Sequence, residues 1–264
     1  MTQRCVILIF LAFFHAEKQL VFSLVGFYVA LLSALFFCSL ALVLALVNSV
    51  LGYIGKKHLN RAIQEVLENP LPNAPRPLAF SVIRVPFFLE PDFDEGKEFE
   101  MTNRERLLRK WGGKKGWEEQ KRRHDLKGRG QEAGIPHFNL DRKAANSMAS
   151  HRLIQHIGKT YGLTISEAIY DKLNEYYFVE GHSLNDRPLL AKTVSTELQT
   201  ILKNKSTVPS EKQLLDFLNG NEGRAEIEAA LHGLRQLGVH GIPKFIIAGS
   251  MIVDGAARSD VFVR

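Results

Sequence analysis

The sequence contains very little cysteine. Only Cys5 and Cys38 occur among its 264 residues, and both lie in apolar runs near the N-terminus. A disulfide framework or a thiolate metal site therefore cannot be built from the residues after Cys38. For the same reason, that part of the chain cannot cycle by itself between a dithiol and a disulfide.

Other signatures of catalysis are missing as well. No P-loop, nucleophile elbow or pair of catalytic carboxylates stands out. His151 and His156 are five residues apart in the sequence, which is not the His-x-x-x-His spacing of a helical zinc site. We expect both histidines to be structural, and the sequence predicts no metal site.

The charge of the chain favours anionic partners in general. Its net charge is +6, and eleven basic but only four acidic residues lie between Arg104 and Arg129, together with Trp111 and Trp117. Such a basic patch could contact nucleic acid or a membrane surface. No nucleic-acid-binding motif accompanies it, so we prefer solvated helices and predict no nucleic-acid partner.

One long apolar run dominates the N-terminal part. The 28 residues from Leu20 to Val47 carry no charge, whereas about 20 residues are enough to span a bilayer. The run predicts a transmembrane helix over 20–47 that follows an N-terminal segment, 1–19; a buried core helix is the alternative. Because Lys56, Lys57 and Arg61 follow the run, we expect a single-pass protein whose C-terminal domain is cytosolic.

The next segments have an α/β pattern. Residues 55–68 place apolar side chains on one helical face, and Pro70 ends this helix. Residues 78–85 are rich in β-branched side chains between two prolines, which predicts a strand. A helix followed by a strand after a short connection is typical of α/β domains.

A long helical block and a hairpin complete the chain. Apolar residues recur at helical spacing over 143–238, where Ser210 is a predicted N-cap and Gly220 a predicted helix end. Residues 244–248 and 251–254 then predict a tight β-hairpin. A small sheet interrupted by a helical insertion would produce this order of elements.

The segment that joins the last helix to the hairpin resembles a known motif. Residues 238–256 read GVHGIPKFIIAGSMIVDGA, similar to the cis-proline loop of thioredoxin folds. Further segments are similar to signatures of the DsbA-like thioredoxin domain family, which includes FrnE-like oxidoreductases and is related to hydroxychromene-carboxylate isomerases and kappa-class glutathione transferases. These segments are YIGKKHL at 53–59, VPFFLEP at 85–91, GIPHF at 134–138, Asn146-Ser147, HRL at 151–153 and Glu180-Gly181.

The resemblance implies an α/β, thioredoxin-like fold with an all-helical insertion, preceded by the transmembrane helix. The first part of the thioredoxin-like domain would cover 48–95, the insertion 96–220, and the second part 221–264, with a closing helix that is cut short. The hydrophobic segment would replace the first strand of the sheet. An N-terminus altered by translation of an unspliced intron would explain that replacement.

The resemblance also indicates where the site lies. The resemblance aligns Ser49 to Gly52 with the Cys-Pro-Trp-Cys motif of the family. It implies a thiol-disulfide oxidoreductase, but one that is redox-inactive because these four residues include no cysteine. In the isomerase and kappa-transferase relatives, a serine at the first position hydrogen-bonds glutathione. The resemblance therefore implies Ser49 as the catalytic residue, and Tyr53, Ile242 and Pro243 as substrate-binding residues. Glutathione would be a cosubstrate, with no other cofactor.

Whether the protein is an enzyme stays open at this point. One alternative is a glutathione-dependent isomerase or transferase that uses Ser49. Another is a non-catalytic module, tethered to the lipid bilayer, that binds peptides strand-wise beside Ile242 and Pro243. In the plainest interpretation, Ser49 only ends the membrane span and Pro243 forms an ordinary trans turn.

Overall fold

A mixed four-stranded sheet lies at the centre of the computed structural model. The structure describes residues 39–44, 49–70, 72, 80–88, 93–95, 101–236, 239, 241–248 and 251–263. The predicted N-terminal segment and the predicted span over 20–38 and 45–47 lie outside these residues.

The strands and the first helix follow the predicted order. Strand β1 covers Ser39–Leu44, helix α1 Val50–Glu68, β2 Phe80–Val85, β3 Lys244–Ile247 and β4 Met251–Asp254. The order in the sheet is β2-β1-β3-β4, with β1 parallel to β2 and antiparallel to β3. The predicted hairpin is confirmed, because β3 and β4 pair antiparallel.

The helical insertion lies between β2 and β3 in the chain. Its α-helices are α2 (Asn103–Lys110), α3 (Lys114–His124), α4 (Leu126–Glu132), α5 (Met148–Tyr161), α6 (Leu163–Asn174), α7 (Arg187–Ile201), α8 (Glu211–Asn219) and α9 (Arg224–Gln236). A π-helix, Glu175–Glu180, follows α6, and a five-residue helix, α10 (Ser259–Val263), follows β4. The predicted boundaries at 95 and 220 stay predictions.

Strand β1 contradicts the predicted transmembrane helix over Ser39–Leu44. Ser39–Leu44 pairs with strands on both sides, so the prediction of a helix over 20–47 is wrong for these six residues. The expected loss of the first strand is wrong for the same reason. A central strand is apolar on both faces, and its sequence therefore cannot be told from part of an apolar helix. Among the residues that the structure describes, no helix combines the length and apolar character needed to cross a membrane.

Local signals fix the helix ends. The side chain of Ser210 accepts a hydrogen bond from the backbone of Gln213, whose side chain in turn accepts one from the backbone of Ser210. This capping box satisfies N–H groups that the first turn of a helix leaves unpaired. Gly220 ends the same helix, so both predicted limits of α8 are confirmed.

The main core joins α1 to the helical insertion. Its fully buried side chains include Ile54, Leu153, Ile157, Tyr170, Tyr176 and Phe178. Helix α1 packs closely on β3 at Gly55, where an added Cβ would lie 2.9 Å from Cζ of Phe245. The ring of Phe245 also contacts Phe262 of α10 edge to face, with centroids 4.9 Å apart. Helices α1 and α10 therefore contact the same buried residue of the sheet.

One fully buried charge stabilises the insertion. The guanidinium of Arg152 on α5 donates to the backbone oxygens of Glu222 at 2.7 Å and Phe217 at 2.9 Å, and more distantly to that of Leu218 at 3.4 Å. The carbonyl groups at a helix C-terminus lack partners within the helix and carry partial negative charge. Arg152 therefore supplies these missing partners at the end of α8.

Candidate functional site

Helix α1 begins after β1 with a serine cap. Ser49 is the N-cap, and its Oγ accepts a hydrogen bond from the backbone N–H of Gly52 at 3.0 Å. Ser49 is 6% exposed, and the first turn of α1 contains no acidic residue. The partial positive charge of the helix N-terminus is therefore not neutralised by a carboxylate of its own first turn. This end of α1 is suited to hold an anion such as a thiolate.

The proline loop lies at the same edge of the sheet. The peptide bond between Ile242 and Pro243 is cis, as the sequence predicted. Leu44, the last residue of β1, pairs with Lys244, so the loop lies beside the point where the chain leaves β1 toward α1. The carbonyl of Pro243 accepts a hydrogen bond from the N–H of Gly255 at 2.8 Å, and Ile242 is half-buried.

Known structures share this arrangement of strands and helices. No protein-family model and no curated protein matches the chain. A protein described as a DsbA oxidoreductase, from Streptomyces coelicolor, is 20% identical with a TM-score of 0.65, over 85% of this chain and 87% of the other. The chain has the DsbA-like thioredoxin fold.

Two further structures support the same fold at lower identity. A 2-hydroxychromene-2-carboxylate isomerase is 14% identical with a TM-score of 0.53, over 82% of this chain and 89% of its own. A protein described as a disulfide isomerase, from Nitrosomonas europaea, is 10% identical with a TM-score of 0.54, over 84% of this chain and 92% of its own. The DsbA-like resemblance seen in the motifs is thus matched by the fold.

In this DsbA-like domain, Ser49 begins a helix beside the sheet. The interpretation of Ser49 as a residue that only ends a membrane span does not account for its position, since it caps α1 five residues after β1 ends. Residues 49–52 carry no thiol. The structure therefore places Ser49 at the start of α1 and the Ile242-Pro243 bond just before β3, whose first residue pairs with the last residue of β1. The described residues contain no cysteine.

Tyr53 is placed differently from the other predicted site residues. It is 4% exposed, and its ring stacks on Phe178 of the core with centroids 5.8 Å apart. Burial, followed by the nearby carboxylates of Asp171 and Glu175, raises the pKa of Tyr53 to about 12. Its hydroxyl therefore stays protonated at neutral pH, and its ring belongs to the core that supports α1.

An ionic cluster, formed by Lys56, Arg84, Glu167 and Asp171, was not predicted; Lys56 is buried and the other three side chains are partly buried. Nζ of Lys56 lies 2.6 Å from Oδ2 of Asp171 and 3.4 Å from Oε2 of Glu167. Arg84 binds both carboxylate oxygens of Glu167, with Nη2 and Oε2 2.5 Å apart. Its guanidinium also lies 3.8 Å from the centre of the Tyr170 ring.

The ionic cluster ties the site helix to its surroundings. Burial alone would raise the pKa of Glu167, but the charges and hydrogen bonds of Arg84 and Lys56 outweigh it and hold that pKa below its ordinary value. Burial, followed by repulsion from Arg84, lowers the pKa of Lys56. Because Lys56 belongs to α1, Arg84 to β2 and Glu167 to α6, the cluster fixes α1 against both elements.

His151 supports the segment that follows β2. Its ring lies 5.2 Å from that of Phe88, and burial lowers its pKa to about 4 although a hydrogen bond with the Phe87 backbone opposes the shift. Strands β1 and β2 are parallel, so Phe87 and Phe88 leave the sheet at the edge where α1 begins. His151 thus has the structural role expected from the sequence. Among the described residues, no group of three His, Cys, Asp or Glu side chains could hold a metal ion.

Proposed function

We propose that this DsbA-like protein binds glutathione or a closely related thiol as a thiolate at the N-terminus of α1, with Ser49 as the hydrogen-bond donor. We also propose that it does not exchange disulfides through cysteines of its own. One observation carries the proposal: a buried serine caps the helix that follows β1. The family resemblance aligns this serine with the first cysteine of the resembled oxidoreductases.

The local geometry explains how a thiolate would be stabilised. Oγ of Ser49 accepts from the N–H of Gly52, and this bond uses a lone pair rather than the hydroxyl proton. The hydroxyl can therefore donate to sulfur, while the N-terminal dipole of α1 favours negative charge. Both effects lower the pKa of the bound thiol and make it a better nucleophile at neutral pH.

The cis-proline loop supplies the second half of the site. Ile242 is half-buried and precedes Pro243, which lies directly before the first residue of β3. Its backbone groups would pair with an amide of glutathione in the manner of an added strand. Chemistry of the isomerase or transferase type would follow if a second substrate reaches the bound thiolate.

A peptide-binding module without catalysis is the second candidate. It rests on the same loop, because strand-wise pairing beside Ile242 needs only backbone groups of the ligand. The two candidates differ in one respect: a peptide module has no use for a thiolate at Ser49.

Calorimetric titration of the full-length protein with reduced glutathione tests the proposal. Ser49→Gly removes the hydroxyl but remains an acceptable N-cap, so helix stability should change by only a few tenths of a kcal/mol. We expect this variant to bind glutathione about tenfold more weakly or worse, because a hydrogen bond to a charged group is lost. Ser49→Thr, which keeps both the cap and the hydroxyl, should stay close to the wild type.

S-methylglutathione is the matched ligand control, since it cannot form a thiolate. Its binding should be weaker and insensitive to Ser49→Gly. Equal affinities of wild type and Ser49→Gly for reduced glutathione would overturn the role of Ser49. Tight binding of both ligands, unaffected by Ser49, would favour the peptide module instead.

Attachment to a membrane is a separate proposal. The uncharged residues 20–38 that precede β1 have about the length that a bilayer core requires. We expect the full-length protein to stay with the membrane fraction after alkaline carbonate extraction; release into the supernatant would contradict a single-pass anchor. The cytosolic orientation rests on Lys56, Lys57 and Arg61 alone, although Lys56 is now seen to be buried.

A further inference from the structure

Three arginines from separate elements meet beside helix α1. They are Arg61 on α1, Arg129 on α4 and Arg258 just before α10. Nη2 of Arg61 donates to the backbone oxygen of Glu132 at 3.1 Å, and Nη2 of Arg258 lies 2.8 Å from Oε1 of the same residue. Nη2 of Arg129 donates to the backbone oxygen of Ala256 at 3.0 Å. We call these three side chains the arginine cluster.

A buried histidine lies on the same face of α1 as Arg61. His58 precedes Arg61 by three residues on α1, so both side chains lie on one helical face. His58 is 3% exposed, and within the described residues its Nδ1 has no hydrogen-bond partner. Burial and then the charge of Arg61 lower its pKa; Glu132 opposes the shift, and Arg258 and Arg129 add to it. The ring therefore lies within electrostatic reach of all three arginines.

The arginine cluster carries a surplus of positive charge. The carboxylate of Glu132 pairs with Arg258, whereas Arg61 contacts only the backbone oxygen of Glu132 in the contacts described above. Oδ1 of Asp260 lies 4.0 Å from Nε of Arg258. Two acidic groups thus face three guanidinium groups. Each guanidinium has several N–H donors, and Arg61 and Arg258 are exposed, so donors remain that a solvent-borne ligand can reach.

We propose that the arginine cluster, together with His58 one helical turn before Arg61, is a binding site for a phosphate- or sulfate-type oxyanion. Guanidinium groups match the oxygens of such anions with paired, charge-assisted hydrogen bonds. Donors that approach from α1, α4 and the segment before α10 suit a tetrahedral anion better than a planar one. Nδ1 of His58 gains a partner when the anion binds. The site is independent of the thiol site at Ser49, since it uses different residues.

Calorimetric titration of the full-length protein with inorganic phosphate and with sulfate, at constant ionic strength, tests this inference. We expect saturable binding that becomes about tenfold weaker in Arg61→Gln and again in the double variant with Arg258→Gln. Both side chains are exposed, so the variants should fold. Arg109→Gln and Arg123→Gln remove exposed arginines elsewhere and should bind phosphate like the wild type.

A second arm identifies the source of the anion. Vesicles of phosphatidylcholine are compared with vesicles that also contain phosphatidic acid, using the wild type and Arg61→Gln. Binding that requires phosphatidic acid and is lost in Arg61→Gln assigns the site to a lipid headgroup, whereas phosphate binding without this requirement assigns it to a soluble ligand. Phosphate binding that is absent, or unchanged in the double variant, together with no effect of phosphatidic acid, would overturn the proposal.

Discussion

The sheet region and the helical insertion each bury an arginine, but they neutralise it in different ways. Arg84 on β2 is paired with the carboxylate of Glu167, in a cluster that also contains Lys56 and Asp171. Arg152 on α5 is instead held by backbone oxygens around the C-terminus of α8. One arrangement depends on groups that titrate, and the other on dipoles that do not.

This difference bears on the candidate site. Lys56 lies two helical turns after Ser49, so the ionic cluster holds the helix whose N-terminus would bind the thiolate. Arg152 stabilises the insertion without contacting α1 or the sheet through its hydrogen bonds. Changes at the ionic cluster should therefore affect both stability and ligand binding, whereas changes at Arg152 should affect stability alone.

The largest effect is expected from Glu167→Gln. The substitution leaves Arg84 and Lys56 buried with only Asp171 as a counter-charge, and removing one partner of a buried ion pair costs about 3–5 kcal/mol. We expect the free energy of unfolding, measured with urea, to fall by about that amount. Glu175→Gln is the matched control, since its pair with Lys172 is at the surface and 52% of the Glu175 side chain is exposed. That control should change stability by less than about 1 kcal/mol.

Low pH should weaken the ionic cluster in the wild-type protein. The folded state holds the pKa of Glu167 below its ordinary value, so unfolding takes up a proton as the pH falls. The stabilisation is therefore complete above about pH 4.3, the ordinary pKa of glutamate, and is lost progressively below it. Urea titrations across this range should show a shallower pH dependence in Glu167→Gln. Equal slopes would mean that Glu167 does not titrate in this way.

The sequence predicted those elements whose signals are local. Ser210 and Gly220 limit α8 through contacts within a few residues, and the hairpin and the cis bond before Pro243 follow from a short stretch of chain. Ser49 was predicted as a site residue because it lies shortly before the YIGKKHL segment, which resembles a motif of the family. Its role as a helix cap follows from a hydrogen bond to Gly52, which is three residues away.

Features built from distant residues could not be predicted in this way. Strand β1 is recognisable only through its partners on β2 and β3, because all of its residues after Ser39 are apolar. Lys56 and Arg84 are common surface residue types, and nothing near them in the chain indicates that they meet Glu167. The spacing of Glu167 and Asp171 does place two carboxylates on one face of α6. That spacing indicates a negatively charged face, but it does not indicate that Lys56 and Arg84 bind there.

The smaller stability effect is expected from Arg152→Met, and it should leave the site unchanged. Methionine fills much of the same volume, but the backbone oxygen of Glu222 loses the guanidinium donor, and that of Phe217 keeps only the N–H of Gly220; an unsatisfied buried acceptor costs about 1–3 kcal/mol. Part of this loss is offset because the cation no longer has to be buried. We expect the free energy of unfolding to fall by about 2 kcal/mol, with no added dependence on pH.

Arg187→Met is the control for that substitution, because Arg187 makes a surface hydrogen bond to Asn219 at the same end of α8. Its effect should stay within about 0.5 kcal/mol. Glutathione affinity should be unchanged in both variants under conditions where they are folded. A loss of affinity in Arg152→Met alone would show that Arg152 also positions α1, and the separation between the titrating ionic cluster and the non-titrating contacts of Arg152 would then fail.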